Sequence, residues 1–338
     1  MLRRKRAGAP RMTDLPACVD ITEEGPREAF QIEPGPIPTA DKVALVDALS
    51  GTGLRRIQVA SFVSPRIVPG WADAEQVVAG FAPRAGVEYV ALWFNAAGLG
   101  RALAFADRLA LSGSVTVTGS PAFTRRNLNR SPEEQIAAQR LNIAAHRAAG
   151  LATRRVSLQA AFGCNFSGEV SAAQALAALS DAMALARDEG CKIARISLAD
   201  SMGWATPARV ERLVAEVRAR FPEPAISLHL HDTRGLGIAC AAEGLRLGVT
   251  AFDAAVAGLG GCPFAGQPGA PGNIATEELV FLCEEMGVST GVDLEALLDA
   301  ARLAERIVGH PCPSNLLRSG LRRAAWTGTA AGRTMPPS

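Results

Sequence analysis

The sequence has almost no net charge: 35 lysines and arginines stand against 33 aspartates and glutamates, for +2 over 338 residues. That balance gives no argument for nucleic acid or a membrane surface as a main partner. No apolar run reaches the roughly 18 residues of a membrane helix, although 48% of the chain is hydrophobic. There is no C-x-x-C pair. The seven cysteines stand at 18, 164, 191, 240, 262, 283 and 312, an odd and scattered set that argues against a disulfide framework and for a reduced, cytoplasmic chain. The start, Met1 to Arg6, is basic but has no apolar core, so it does not read as a secretory signal. It is Arg-rich and free of acids up to Asp14, as a mitochondrial presequence is, but short and poor in serine, which favours the other reading, a disordered basic tail over 1–16. The end, from Thr327, is rich in Gly, Ala, Thr and Pro and also reads as a tail, within a segment 310–338 expected to be partly disordered.

Between these ends, strand and helix patterns alternate. Strand candidates are 17–22, 55–60, 87–93, 113–118, 154–161, 192–198, 225–231 and 251–256. Glu23 to Pro38 reads as a loop with four prolines. Helical patterns occupy 39–51, with Thr39 as N-cap, then 73–81, 97–110, 132–149, 171–189, 207–219, 236–247 and 275–286. Strict alternation implies a parallel sheet. Eight units in one chain of this size predict an α/β fold, a (β/α)8 TIM barrel over 17–309 with an added C-terminal helix at 293–308. A doubly wound sheet is the alternative, but no G-x-G-x-x-G follows the first strand.

Only four histidines are present, and two of them stand two apart in Ser227-Leu228-His229-Leu230-His231-Asp232. On a strand such residues share a face, about 6–7 Å apart, with Leu228 and Leu230 on the other. Two readings fit the pair: a metal site at a strand end, or two histidines hydrogen-bonded in a polar layer. In a barrel, chemistry gathers at the carboxyl ends of the strands. There the sequence places Glu23-Glu24-Gly25-Pro26-Arg27-Glu28, Gln58 with Ser61, Ser120 with Arg125-Arg126-Asn127, Gly163-Cys164-Asn165, Asp200-Ser201-Met202-Gly203, and Gly258-Leu259-Gly260-Gly261-Cys262-Pro263 followed by Gly272-Asn273. An acid, two imidazoles, an amide and a thiol on one face make a shell of N and O ligands beside an acid–base group.

These runs, with Ser61-Phe62-Val63-Ser64-Pro65 and Phe123-Thr124-Arg125-Arg126-Asn127, resemble the hydroxymethylglutaryl-CoA lyase family from about Val19 to Gly309. The resemblance implies a TIM barrel that cleaves 3-hydroxy-3-methylglutaryl-CoA, or a related 3-hydroxyacyl-CoA, to acetyl-CoA and a keto acid. It implies Mg2+ or Mn2+ held by Glu28, His229, His231 and Asn273, and a homodimer. It assigns Arg27, Asp200, His229 and Cys262 to catalysis: Arg27 as the charge clamp on the enolate oxygen, Asp200 as a base or shuttle with His229, and Cys262 as the acid on a mobile glycine loop. Arg27, Gln31, Gln58, Ser61 and Arg125 are implied to bind the acyl-CoA. Each residue also has a plainer use: Arg27 in a salt bridge to Glu24 or Glu28, Asp200 as a helix cap, Cys262 as a small packing residue, Arg125 in a solvated loop.

Three positions depart from the family pattern. Glu28 stands where the family has Asp, Gln58 where it has Glu, and Pro34 where it has Lys. The pocket then carries about one negative charge fewer unless another group supplies it. Two alternatives remain open at this point: a carbon–carbon bond-forming aldolase or acyl-CoA synthase of the same barrel group, and a barrel that keeps the metal and has lost the chemistry.

Overall fold

The structure, a computed structural model, describes residues 15–261, 265–266 and 270–321. The tail stretches 1–14 and 322–338, and Cys262, lie outside the described residues. The short apolar runs form eight strands: β1 (Asp20–Glu23), β2 (Arg56–Ser61), β3 (Glu88–Leu92), β4 (Gly113–Thr118), β5 (Thr153–Gln159), β6 (Arg195–Ala199), β7 (Ala225–His229) and β8 (Ala251–Ala254). They pair in parallel in the order β3-β2-β1-β8-β7-β6-β5-β4. Each strand except β4 therefore neighbours its predecessor in sequence, with β8 against β1. That order belongs to a sheet curled into a TIM barrel and excludes the doubly wound alternative. The edges are β3 and β4; the Ala110 N–H donates to the Tyr89 carbonyl at 2.8 Å where the chain approaches β4.

Alternation along the strands separates two environments. Ile57, Val59, Leu158, Leu198 and Leu228 are fully buried beneath the helices, while Arg56, Gln58, Ser157, Gln159, Ser197 and His229 face the barrel interior. The helices are α1 (Gly25–Ile32), α2 (Thr39–Ser50), α3 (Ala74–Gly80), α4 (Ala96–Leu103), α5 (Pro132–Ala148), α6 (Ala172–Asp188), α7 (Pro207–Arg220), α8 (Gly237–Arg246), α9 (Thr276–Glu285), α10 (Leu294–Val308) and α11 (Asn315–Ser319). Ser131 with Glu134, and Ser171 with Gln174, form capping boxes that start α5 and α6.

Three local expectations are corrected. The stretch read as a loop after β1 contains α1, whose Pro26 sits in the first turn, where no backbone donor is lost. The helix ends at Ile32, with extended Glu33 ahead of Pro34. Thr39 is the first residue of α2 rather than its cap, and its hydroxyl donates to Asp73 at 2.6 Å. The helix expected over 97–110 stops at Leu103 and continues as turns. A two-stranded hairpin, Gly163–Cys164 with Gly168–Glu169, lies beyond β5, and α11 lies in the segment 310–338, ahead of the tail read from Thr327.

Candidate active site

The first half of the site is built by running a helix straight out of a strand. β1 ends at Glu23 and α1 begins at Gly25, so Arg27 and Glu28, one turn into the helix, hang over the barrel mouth. The second half comes from β7. His229 is its last residue and His231 follows on the same face, with the two Nε2 atoms 3.3 Å apart. Asn273, far along the chain, is brought in by a short antiparallel contact: Asp232 N–H donates to Gly272 O at 2.7 Å and Ile274 N–H to Leu230 O at 3.1 Å. Its amide Nδ2 donates to Glu28 Oε2 at 2.5 Å and to Leu259 O at 3.0 Å. Gly261 N–H also donates to Glu28 Oε2, at 3.1 Å. Glycine is required at two points here. Gly260 has φ +79°, and a Cβ on it would lie 2.4 Å from the Glu28 Cβ; a Cβ on Gly272 would lie 1.8 Å from Gly260 O.

Glu28, His229 and His231 offer ligand atoms that all lie within 4.8 Å of one another. Asn273 Oδ1 is buried and has no hydrogen-bond partner among the described residues. A carboxylate, two imidazoles and a spare amide oxygen are a donor set that fits a divalent cation, and the absence of a thiolate from the set argues against a closed zinc site.

Around these ligands runs a ring of charges. Arg27 Nη2 donates to Glu24 Oε2 and to Glu28 Oε1, both at 2.7 Å, and Arg27 Nε donates to Gln58 Oε1. Trp71 Nε1 holds the Arg27 carbonyl at 2.9 Å. On the far side Arg155 pairs with Asp253 at 2.9 Å. His229 Nδ1 faces both carboxylates, 3.5 Å from Asp253 and 3.7 Å from Glu24. Burial opposes charge throughout, and the partners decide the outcome. Burial works against ionised Glu28, but Arg27 and the two histidines hold its carboxyl well below the usual range. His229 is disfavoured as a cation by burial, yet Asp253, Glu28 and Glu24 pull it up to about 9. Burial and the charge of His229 push His231 down to about 3. Burial raises Glu24, against the pull of Arg27.

A cavity of about 300 Å3 opens above and inside this ring, lined by Glu28, Gln31, Gln58, Ser201, His231 and Trp93 among others. Of the residues singled out in the sequence, Arg27, Glu28, Gln31, Gln58, His229 and His231 face it, and Asn273 touches Glu28 behind it. Asp200 is buried beside it with both oxygens occupied: Oδ1 accepts from Trp204 N–H at 2.7 Å and Oδ2 from Ala205 N–H at 3.0 Å. Burial raises its carboxyl to about 6, against those two amides. Ser61 is fully buried and does not reach the cavity. Arg125 is exposed on the outer loop, 3.9 Å from Glu134, and Asn127 lines the cavity in its stead. Cys262 is outside the described residues.

Arg155 and Asp253 of the ring were not singled out, and Glu24 was named only as a salt-bridge partner for Arg27. Glu24 stands inside the Glu23-Glu24-Gly25-Pro26 run, and its contact with Arg27 supplies a carboxylate beside the neutral Gln58. Arg155 and Asp253 sit on β5 and β8 facing inward, a polar register among apolar neighbours that the strand pattern carries. His146 is packed between Trp93 and Thr153, and His310 pairs with Glu33, both away from the site.

A family model described as HMGL-like matches residues 18–304. The hydroxymethylglutaryl-CoA lyase of Bacillus subtilis is 40% identical over 304 residues, 90% of this chain and 97% of its own. A 3-hydroxy-3-isohexenylglutaryl-CoA/hydroxy-methylglutaryl-CoA lyase of Pseudomonas aeruginosa is 35% identical over 92% of this chain and 100% of its own. The solved structure of an HMG-CoA lyase from Acinetobacter baumannii, in complex with coenzyme A and 3-methylmalate, is 33% identical with a TM-score of 0.80 and covers 95% of this chain and 98% of that one.

Proposed function

The chain belongs to the HMGL-like family, and on that premise we propose that it is a divalent-metal-dependent acyl-CoA lyase. Its substrate is 3-hydroxy-3-methylglutaryl-CoA or a related 3-hydroxyacyl-CoA, cleaved to acetyl-CoA and a keto acid by a retro-aldol step. The observation that carries this reading is the cluster of Glu28, His229 and His231, within 4.8 Å of one another, beside a guanidinium that faces the same cavity.

Glu28, His229, His231 and Asn273 would hold Mg2+ or Mn2+, the metals that a site with carboxylate and amide oxygens suits. Such an ion supplies Lewis acidity toward the substrate hydroxyl and a carbonyl oxygen. The remaining work falls to the chain. Arg27 is fixed through Nε and Nη2, which leaves Nη1 without a partner among the described residues to meet the thioester enolate oxygen; fixed donors of this kind act without reorganising. The hydroxyl proton leaves toward the cavity-facing carboxylate of Asp253; His229, with Nε2 turned to the ligand cluster and Nδ1 turned to Asp253 and Glu24, has no lone pair free to take it and orients the site instead. Cys262 would return a proton to the enolate carbon; the adjacent Gly261 donates to Glu28 and lines the cavity. Asp200 does not line the cavity and holds the backbone at Trp204 and Ala205 through its two oxygens, so the acid–base role expected of it gives way to bracing. Gln31 and Gln58 line the acyl pocket, and Arg125 is left to the outer, CoA-facing rim.

The Pseudomonas relative's name supports a substrate range wider than the methyl compound. The free thiols of Cys18, Cys164, Cys191, Cys240, Cys283 and Cys312 support a reducing, cytoplasmic compartment, and the family resemblance supports a homodimer. No described helix is long and apolar enough to cross a membrane. The test is acetyl-CoA release from 3-hydroxy-3-methylglutaryl-CoA and from longer 3-substituted analogues with Mg2+ or Mn2+, in wild type and Cys262→Ala. Release that needs metal and falls about 10^2–10^4-fold in the variant, the range for losing a general acid, supports the reading. A folded, metal-loaded protein that cleaves none of these substrates overturns it.

A further inference from the structure

Glu24 occupies an unusual place. Its side chain is only 5% exposed, and one of its oxygens, Oε2, faces two different groups. It accepts from Arg27 Nη2 at 2.7 Å and lies 3.7 Å from His229 Nδ1. His229 is the hinge between two clusters: its Nε2 faces His231, and its Nδ1 faces Glu24 and Asp253. The first cluster offers ligands to a metal. The second, Glu24, His229 and Asp253, is also compact enough to hold a cation, but its two carboxylates are already met by cations of the chain, Arg27 and Arg155. An ion placed there would have to displace both guanidiniums. The second cluster therefore acts on the first through His229, in the way a carboxylate behind a ligating imidazole fixes its tautomer and orientation.

We propose that Glu24 is a positioning residue: a single carboxylate oxygen that sets both the Arg27 guanidinium and the His229 ring, and so couples the enolate side of the site to the metal side. Asp253 can orient His229 but stands with Arg155 across the barrel. Gln58 can hold Arg27 through Nε but carries no charge. Among the described residues outside the ligand set, only Glu24 lies within 4 Å of both through one oxygen. Glu28 also bonds Arg27, but it is counted among the ligands, so its loss would remove the metal along with the clamp. The inference rests on the lyase reading for its kinetic arm alone; the metal-binding arm is independent of it.

The test compares Glu24→Gln and Glu24→Asp with wild type in the full chain, using Mn2+ alone in a calorimetric titration and steady-state kinetics with Mn2+ saturating. Glu24→Gln keeps the volume and removes the charge; Glu24→Asp keeps the charge and draws the oxygen back by one methylene. The expected result is one Mn2+ per chain in every variant, with affinity about 10–100-fold weaker in Glu24→Gln, the range for losing an outer partner of a ligand. At saturating Mn2+, kcat remains about tenfold or more below wild type with KM little changed, because Arg27 is still misplaced. Glu24→Asp recovers part of the Mn2+ affinity. Combining Glu24→Gln with Arg27→Lys gives a kcat no lower than the worse single variant, as expected of groups acting as one unit. Mn2+ affinity and saturating kcat both within twofold of wild type in a folded Glu24→Gln protein would overturn the proposal. So would two Mn2+ ions per wild-type chain with one lost on Glu24→Gln, which would make Glu24 a ligand. If wild type shows no lyase activity, the functional reading falls while the Mn2+ comparison still decides the role of Glu24.

Discussion

Glu23, the last residue of β1, and Glu28, one turn into α1, stand five residues apart, both buried, and they meet opposite fates. Glu28 faces the cavity beside Arg27 and is held ionised. Glu23 faces the other way, into the join between β1 and β8. Its Oε1 accepts from Gly25 N–H at 2.6 Å and Val256 N–H at 2.8 Å, and its Oε2 accepts from the Thr276 hydroxyl at 2.6 Å. Glu277 does similar work next to it, accepting from Ala257 N–H at 3.1 Å where the chain takes φ +59°. Neither Glu23 nor Glu277 has a cationic partner among the described residues, and burial lifts each carboxyl to about 7, against the hydrogen bonds it accepts. The same desolvation acts on all three groups. A guanidinium turns one into a ligand, while backbone amides turn the other two into braces that hold the loops carrying the site.

The contrast can be broken most severely at Arg27. Arg27→Gln removes the charge that keeps Glu28 ionised and the donor aimed at the cavity. A kcat loss of about 10^2–10^3-fold is expected, the range for losing one preorganised donor to an oxyanion. Steady-state kinetics check it, and a loss in KM alone would assign Arg27 to binding rather than to the reaction. The next effect lies at Asp200, which shares the brace's character although it sits near the site. Asp200→Asn leaves one buried N–H, of Trp204 or Ala205, without an acceptor, for about 1–3 kcal/mol of stability. The profile of kcat/KM against pH should keep its wild-type shape; disappearance of an acid limb near pH 6 would instead make Asp200 a proton acceptor in the reaction.

The mildest change in activity is expected at Glu23, where the effect shows in stability against pH. Its carboxyl is raised in the folded chain from 4.5 to about 7, so the folded state binds the proton more tightly than the unfolded state. The stability this contributes is fully present below pH 4.5 and is lost as pH rises through 7. The difference corresponds to about 3 kcal/mol. Glu23→Gln, which cannot ionise, should therefore gain stability relative to wild type between pH 5 and pH 8 in urea denaturation. A constant offset across that window would show that Glu23 is ionised in the fold.

The sequence carried the barrel because eight apolar runs alternate with helical patterns, and a chain with that rhythm has few other ways to bury both sheet faces. It did not reveal α1, because Pro26 reads as a breaker when the helix start is unknown. The histidine pair was legible from strand alternation alone. Asn273 was legible only by resemblance, since nothing local shows that 272–274 folds back on 230–232. That Glu24 and Asp253 both face His229 was hidden for a different reason. Their role depends on which side of a four-residue strand faces inward, and one step of register separates a Glu that orients His229 from a Glu23 that clamps the backbone. The neutral Gln58 pointed to a missing charge and the sequence offered a salt bridge from Arg27 to Glu24, but only the folded chain shows that the same Glu24 oxygen also faces His229.

The most direct test of this account is a Mn2+ titration of the full chain carrying Glu28→Gln or Glu23→Gln, beside wild type. The account predicts one ion in wild type, affinity in Glu23→Gln within about threefold of it, and a loss in Glu28→Gln beyond the 10–100-fold typical of outer partners. Equal losses in the two variants, or binding that survives Glu28→Gln, would contradict the division between ligand and brace.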